Sequence, residues 1–270
     1  MYYLTLATLL LIYATLALSL NLITGLAGQV SLGHAAFFGI GAYVQAFLIA
    51  HGVNFWIAMV AAGGAAGVIG IGLGAISLRL REDFLAIATI GINFVVVALF
   101  LYLPFFGGAF GMSNIQGPFG DAGTLLTAVV LFALSVGLHE VVRASDLGLA
   151  LIALRESEDA AEALGVNVKR FKVTAFTLGT AMAGMAGGLY AAYVGVIHPH
   201  DFGFPLSVTL LAMVAVGGMG TLWGPILGAI VLGGFAQAFA FIHNYQLVLF
   251  GLLLALVMRY RPRGLLGRRV

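Results

Sequence analysis

Uninterrupted apolar runs, each about as long as a membrane is thick, dominate this chain. They fall at residues 2–24, 32–50, 54–78, 84–103, 123–142, 173–197, 206–223, 225–242 and 245–259. A helix needs about 20 apolar residues to cross the hydrocarbon core of a bilayer. Lipid offers the backbone no hydrogen bonds, so a spanning segment is a helix or part of a closed barrel. Barrel strands alternate apolar and polar residues over about ten positions, and these runs do not alternate. Charged residues make up 8% of the chain, against about a quarter in soluble domains, so water cannot be its main solvent. The expected fold is all-α: a polytopic transmembrane helical bundle of about nine spans with Gly-rich broken segments. Residues 1–270 form one transmembrane domain, with no low-complexity tail.

The basic residues sort into three segments. Arg79 and Arg81 occupy the first; Arg143, Arg155, Lys169, Arg170 and Lys172 the second; Arg259, Arg261, Arg263, Arg268 and Arg269 the third. The connectors at 104–122 and 198–205 carry only Asp121 and Asp201. The positive-inside rule places the three basic segments in the cytoplasm. The arginines after Met258 then anchor orientation by snorkelling. Met1–Leu11 lacks Lys and Arg, so it is read as the start of the first span and not as a signal peptide. The pair 206–223 and 225–242, joined at Gly224-Pro225, is either two spans or a re-entrant, broken helix.

Glycine is frequent, at 38 residues. Gly63, Gly64, Gly67, Gly70, Gly72 and Gly74, with Gly184, Gly187 and Gly188, are read as faces for close helix packing. Two Gly-rich breaks also echo one another. Gly25 to Gly28 leads through Gln29 and Ser31 to Gly33-His34, and Gly217 to Gly220 leads through Thr221 to Gly224-Pro225. Transporters built from repeats often place interrupted helices at such points, near the substrate path. Polar residues inside spans are costly and often functional. On that ground Asn21, Gln29, Ser31, His34, Thr89 and Asn93 are candidates for a translocation pathway, with interhelical hydrogen bonds as the alternative role.

The connector 143–172 is the most charged part of the chain. Ser145-Asp146 is expected to cap a helix over Leu147–Arg155. Ser157 is expected to cap a second helix over about 158–164, with Glu158 and Asp159 favourable in its first turn. Gly165 suits the position that ends it. Ala160, Ala161 and Leu164 are read as one side of that helix, a face able to seat in a groove on a cytoplasmic partner.

Several chemistries are excluded. Without cysteine there are no disulfides or thiolate metal sites. Lys169 and Lys172 follow no Gly-x-x-x-x-Gly loop, so the chain does not cradle nucleotide phosphates and energy must come from a partner. His198, His200 and Asp201 have no evident fourth ligand and are read as a polar turn, so no metal site is expected. No cofactor, catalytic constellation or nucleic-acid partner is expected either. Gly107–Asp121, with Ser113, Asn114 and Gln116, is an outer loop in reach of a soluble partner. A secondary transporter or channel for a small neutral solute is the alternative function. The absence of carboxylates from span interiors argues against its proton or sodium relay.

Asp159-Ala160-Ala161 followed by Gly165 resembles the coupling motif of ABC-transporter permeases, with Asp for the usual Glu. More stretches are similar to the LivM-type permeases of bacterial branched-chain amino-acid importers. They are Asn21–Gly25 with Gly28–His34, Leu78–Arg81 with Leu85–Thr89, Ala153–Glu156 with Glu158 and Gly165, Gly217–Thr221 with Gly224-Pro225, and Arg261–Gly267. They cover nearly the whole chain in the family's order, although its N-terminal region is short for the family. The resemblance implies a membrane subunit working with a homologous permease subunit, two cytoplasmic ATP-binding subunits and a periplasmic solute-binding protein in the bacterial inner membrane. It implies coupling to the ATPases through Arg155, Glu156, Glu158, Asp159, Ala160, Ala161 and Gly165. The implied cargo is leucine, isoleucine or valine, although relatives carry urea, short amides or other compact solutes.

Overall fold

The computed structural model describes residues 2–77, 82–118, 120–238, 246–260 and 264–266. Arg79, Arg81, Arg261, Arg263, Arg268 and Arg269, with all of the Leu78–Arg81 stretch and most of Arg261–Gly267, lie outside them. The fold is helical: α1 (Tyr2–Leu20), α2 (His34–Ala50), α3 (Phe55–Ser77), α4 (Glu82–Tyr102), α5 (Gly120–Ala144), α6 (Asp146–Glu156), α7 (Glu158–Ala163), α8 (Val168–Val194), α9 (Phe204–Gly217), α10 (Trp223–Ala238) and α11 (Gln246–Tyr260).

Five helical stretches among the described residues are long and apolar enough to cross a membrane: Tyr3–Leu26, Phe55–Ala75, Phe84–Tyr102, Gly120–Ala144 and Pro199–Gly217. His34–Ala50 and Trp223–Gly234 are shorter apolar helices. The count of about nine is therefore not reached by length and composition. One reason is that α2 starts inside the bundle and not at its edge. Another is that α8, though 27 residues long, is built largely from Ala, Gly and Thr.

That composition suits α8 to the centre, packed against α1, α2 and α3. A methyl added at Gly41 would lie 2.4 Å from the Gly184 Cα, one at Gly184 2.5 Å from Ala66 Cβ, and one at Gly74 3.0 Å from Val173 Cα. Gly63, Gly67 and Gly70 face Met185, Ala181 and Thr180 in the same way. Gly64 and Gly72 differ from expectation, with nothing within 4 Å of their added methyls. One helix face cannot turn every glycine inward at 3.6 residues per turn. The opposite face of α3, with Ile57, Val60, Val68 and Ile71, is exposed and apolar, as lipid or a membrane partner requires.

Two large apolar clusters fill the bundle, with a small third one of Ile23, Leu85 and Phe176. The larger joins α1, α2, α8, α9 and α10, with Phe37, Phe38, Tyr43, Phe202 and Met213 within it. The smaller gathers Leu18, Leu22 and Leu26, Val142, Leu151 and Leu154, Ala161, Met182, Leu222 and Ile226. It fastens the 145–167 connector to the membrane helices and defines a loop end of the bundle. At the other end, β1 (Met112–Ser113) pairs antiparallel with β2 (Val196–Ile197), with Met112 opposite Ile197. Tyr193 there donates to the Thr5 carbonyl at 3.1 Å, so α1 starts opposite the loop end.

The span 206–223 and its successor form a hairpin of α9 and α10. The break lies at 218–222, before the Gly224-Pro225 step, which falls inside α10. The last carbonyls of α9 are capped from afar: Leu265 N–H donates to Val216 at 2.8 Å and Leu266 N–H to Gly217 at 3.0 Å.

Candidate functional site

The loop helix α7 is defined at both ends. Ser157 Oγ accepts from Ala160 N–H at 3.3 Å, which satisfies one of the free donors of the first turn. At the other end Gly165, at φ 85°, donates to Glu162 at 2.9 Å while Val166 N–H donates to Ala161 at 3.0 Å. That pair of bonds is the Schellman arrangement, which favours glycine in the left-handed region. The expected cap on α6 does not form through the side chain, because Ser145 Oγ donates instead to the Val142 carbonyl at 2.7 Å.

The predicted single face of Ala160, Ala161 and Leu164 is split. Ala161 is buried against Val166 and the smaller core cluster, whereas Ala160 is exposed and Leu164 is 85% exposed. Positions 160 and 164 lie one turn apart, and 161 is rotated by about 100° from 160 and about 60° from 164. Asp159 and Glu162 are exposed too, as are Leu149 and Ile152 of α6. Glu158 points elsewhere. It accepts from Lys172 of α8, a lysine buried to 7% exposure in its side chain. Arg155 also turns toward the bundle, where its guanidinium meets Gly25. Glu156 is exposed.

Between α1 and α2 the chain passes through a π-helical turn, Asn21–Leu26, and a non-helical stretch to Gly33. Thr24 Oγ1 donates to the Gln29 carbonyl at 3.0 Å and Gln29 N–H to Ile23 at 3.1 Å, which folds the strand back on the turn. Asn21 faces the second break. Its Oδ1 accepts from Gly220 N–H at 2.8 Å, its Nδ2 donates to the Thr221 carbonyl at 2.9 Å, and His139 Nε2 lies 2.9 Å from that same nitrogen. The two echoing Gly-rich segments therefore touch.

The start of α2 lies inside the protein, so its free N–H groups need partners there. Leu32 N–H donates to Thr89 Oγ1 of α4 at 3.0 Å, and Ala35 N–H to Ser207 Oγ of α9 at 3.0 Å. His34 Nε2 meets Ser19 Oγ at 2.7 Å. Asn93, one turn above Thr89, donates through Nδ2 to the Phe202 carbonyl at 3.1 Å. Ser31 Oγ, His34 Nδ1 and Asn93 Oδ1 are buried without a protein hydrogen-bond partner. Of the six pathway candidates, Ser31, His34, Thr89 and Asn93 thus gather around the α2 N-terminus, with Gln29 two residues before Ser31. Asn21 stands apart at the loop-end junction. Ser207 was missed by sequence reasoning, because a single Ser in an apolar run carries no pattern.

Above this polar cluster sits an aromatic one. Tyr43 stacks on Phe100 with ring centroids 4.0 Å apart and meets Phe106 and Phe202 edge-on at 5.4 and 5.9 Å. Phe38 packs on Phe202 at 5.5 Å. The rings come from α2, α4 and two connectors, so spacing along the chain does not show them. His198 and Asp201 form a capping box, with His198 N–H donating to Asp201 Oδ2 at 2.9 Å. Among the described residues no cluster of three metal-ligating side chains occurs.

A multi-pass helical membrane protein with two Gly-rich breaks that meet, a buried polar cluster at an internal helix start and a capped loop helix fits the broad class of transport permeases. A family model described as "Branched-chain amino acid transport system / permease component" matches residues 2–258, and the chain belongs to that family. The high-affinity branched-chain amino acid transport system permease protein LivM of Escherichia coli (strain K12) is 37% identical over 292 positions, covering 96% of this chain and 69% of that protein. The corresponding permease protein BraD of Pseudomonas aeruginosa is 30% identical, covering 95% and 92%. LivH of Escherichia coli (strain K12) is 28% identical, covering 95% and 91%. No solved structure matches the chain.

Proposed function

We propose that this chain is the membrane-spanning permease subunit of an ATP-driven importer that carries branched-chain amino acids across the bacterial inner membrane. Its partners are a homologous second permease, two cytoplasmic ATP-binding subunits in which hydrolysis takes place, and a periplasmic solute-binding protein. One observation carries the reading beyond family membership. The short loop helix α7 is capped at both ends, by Ser157 and by the turn at Gly165, and presents Asp159, Ala160, Glu162 and its C-cap Leu164 to solvent, the kind of exposed helical face that helix-in-groove docking uses. In this reading the loop end is cytoplasmic, and Asp159, Ala160, Glu162 and Leu164 seat in grooves of the ATPases. Arg155, Glu158 and Ala161 hold α7 to the bundle.

The substrate site is the polar cluster at the start of α2. A half-helix N-terminus favours a carboxylate through its free N–H groups and dipole. In the present conformation the Ser207 hydroxyl occupies one of those donors, Ala35 N–H, and the Thr89 hydroxyl takes the N–H of Leu32 just before the helix. A zwitterionic amino acid replaces them with its carboxylate and offers its ammonium to Ser31 Oγ and Asn93 Oδ1. The aromatic cluster of Tyr43, Phe100, Phe106 and Phe202 closes the path to the far side.

The test is purification of the assembled complex and reconstitution into liposomes. ATP-dependent leucine uptake, with leucine and the binding protein stimulating hydrolysis, is the expected result. A chain that co-purifies with no ATPase, or moves leucine equally well without ATP, refutes the assignment.

A further inference from the structure

We infer that Arg155 and Asn21 form a latch that joins the docking loop to both broken segments, so that a pull on α7 moves the two breaks together. The inference rests on the reading of 145–167 as the ATPase-docking element.

Arg155 lies in the last turn of α6, two residues before Ser157, which caps α7. Its Nη1 donates to the Gly25 carbonyl at 2.6 Å. A charged donor makes such a bond roughly twice as strong as a neutral one. Gly25 lies in the π-helical turn, a form that concentrates at functional positions. Two other glycines make room for the arginine. A methyl at Gly28 would lie 3.0 Å from Arg155 Cγ, and one at Gly220 would lie 2.6 Å from Arg155 Nη1. One guanidinium therefore touches the break between α1 and α2 and the break between α9 and α10.

Asn21 closes the same junction from the membrane side. Its Oδ1 accepts a backbone N–H and its Nδ2 donates to a backbone carbonyl, both on the 220–221 segment. Those two partners settle which way the amide faces. Tying together breaks that lie about 200 residues apart in sequence makes them one mechanical unit. The first break runs on through Ser31 to His34, so movement of Arg155 reaches the α2 N-terminus within a few residues. Small shifts of a packed element become larger rearrangements when its neighbours have two discrete arrangements. Arg155 is thus a positioning residue, acting on the site through the backbone of Gly25.

The test uses the complete complex in proteoliposomes, with Arg155→Met, Arg155→Lys, Asn21→Ser and the Arg155→Met/Asn21→Ser double variant. Arg155→Met should retain both ATPases and basal hydrolysis within about twofold of wild type. Leucine uptake should fall about tenfold, with the ATP consumed per leucine rising in proportion, as loss of one charged hydrogen bond implies. Arg155→Lys should recover part of the coupling. Asn21→Ser should uncouple in the same sense, and the double variant should be no worse than the poorer single one. Tightly coupled uptake in Arg155→Met overturns the latch, and so does an additive double variant. Loss of the ATPases from Arg155→Met makes Arg155 a docking residue and also overturns it. If Arg155→Met does not accumulate, fully coupled uptake in Asn21→Ser is sufficient refutation. A wild-type complex that shows no ATP-driven uptake refutes the permease reading instead.

Discussion

Lys172 of α8 donates to Glu158, the first residue of α7, and the lysine end of the pair is the buried one. The pair fixes the start of α7 to the central membrane helix, as the Schellman bonds fix its end. Glu158→Gln leaves a nearly buried ammonium without its counter-charge. The carboxylate is 42% exposed, so solvent screening reduces the loss to about 1 kcal/mol. Amide exchange across 158–163 should quicken about fivefold to tenfold, with the membrane helices unchanged. Exchange at the wild-type rate would show that α7 is held by Ala161 packing alone.

Gly165 offers a cleaner perturbation of the same helix. No atom lies within 4 Å of a methyl added there, yet its φ is 85°. Any penalty therefore comes from backbone conformation and not from a clash. Gly165→Val should cost about 1–2 kcal/mol, fray the last turn of α7 and uncouple hydrolysis from uptake while insertion stays normal. Gly165→Asn, which tolerates the left-handed region, should lie between Val and wild type. Equal, full coupling in all three would exclude a role for the geometry of this turn.

The glycine faces give a paired test of helix packing. A side chain at Gly187 meets the Phe38 backbone, whereas one at Gly72 meets nothing within 4 Å. Gly187→Val should lower the melting temperature of the detergent-solubilised protein, with overpacking costing about 1–3 kcal/mol or more. Gly72→Val should leave it within error. A comparable loss at Gly72 would place a partner helix on that face of α3.

Much of this architecture is written in local pattern. Apolar runs of membrane length mark the helices, and Ser157 and Gly165 mark the limits of α7. The relations that organise the site are long-range, and spacing does not carry them. Arg155 reads as part of the docking motif, but only the folded chain brings it to Gly25 and Gly220. Glu158 likewise reads as a surface acid until α8 presents Lys172. The Gly264-Leu265-Leu266 stretch offers no hint that its N–H groups cap α9. Pathway candidates were found because polar residues stand out among apolar ones. The same signal also collected Asn21, whose amide is committed to the second break, and it missed Ser207.

Ser31 separates a structural from a functional role more sharply than any other residue of the site. Its hydroxyl is fully buried and has no protein partner. Burial of an unsatisfied polar group costs about 1–3 kcal/mol, so Ser31→Ala should leave the melting temperature unchanged or raise it. If the hydroxyl receives the substrate's ammonium, the same change removes one hydrogen bond from the bound state. The leucine concentration for half-maximal uptake should then rise about tenfold, while maximal rate and ATP consumed per leucine stay near wild type. That combination is distinct from the latch variants, which lose coupling and keep affinity. A stabilised Ser31→Ala protein with unaltered leucine dependence would make the hydroxyl a packing group and move the binding site away from the start of α2.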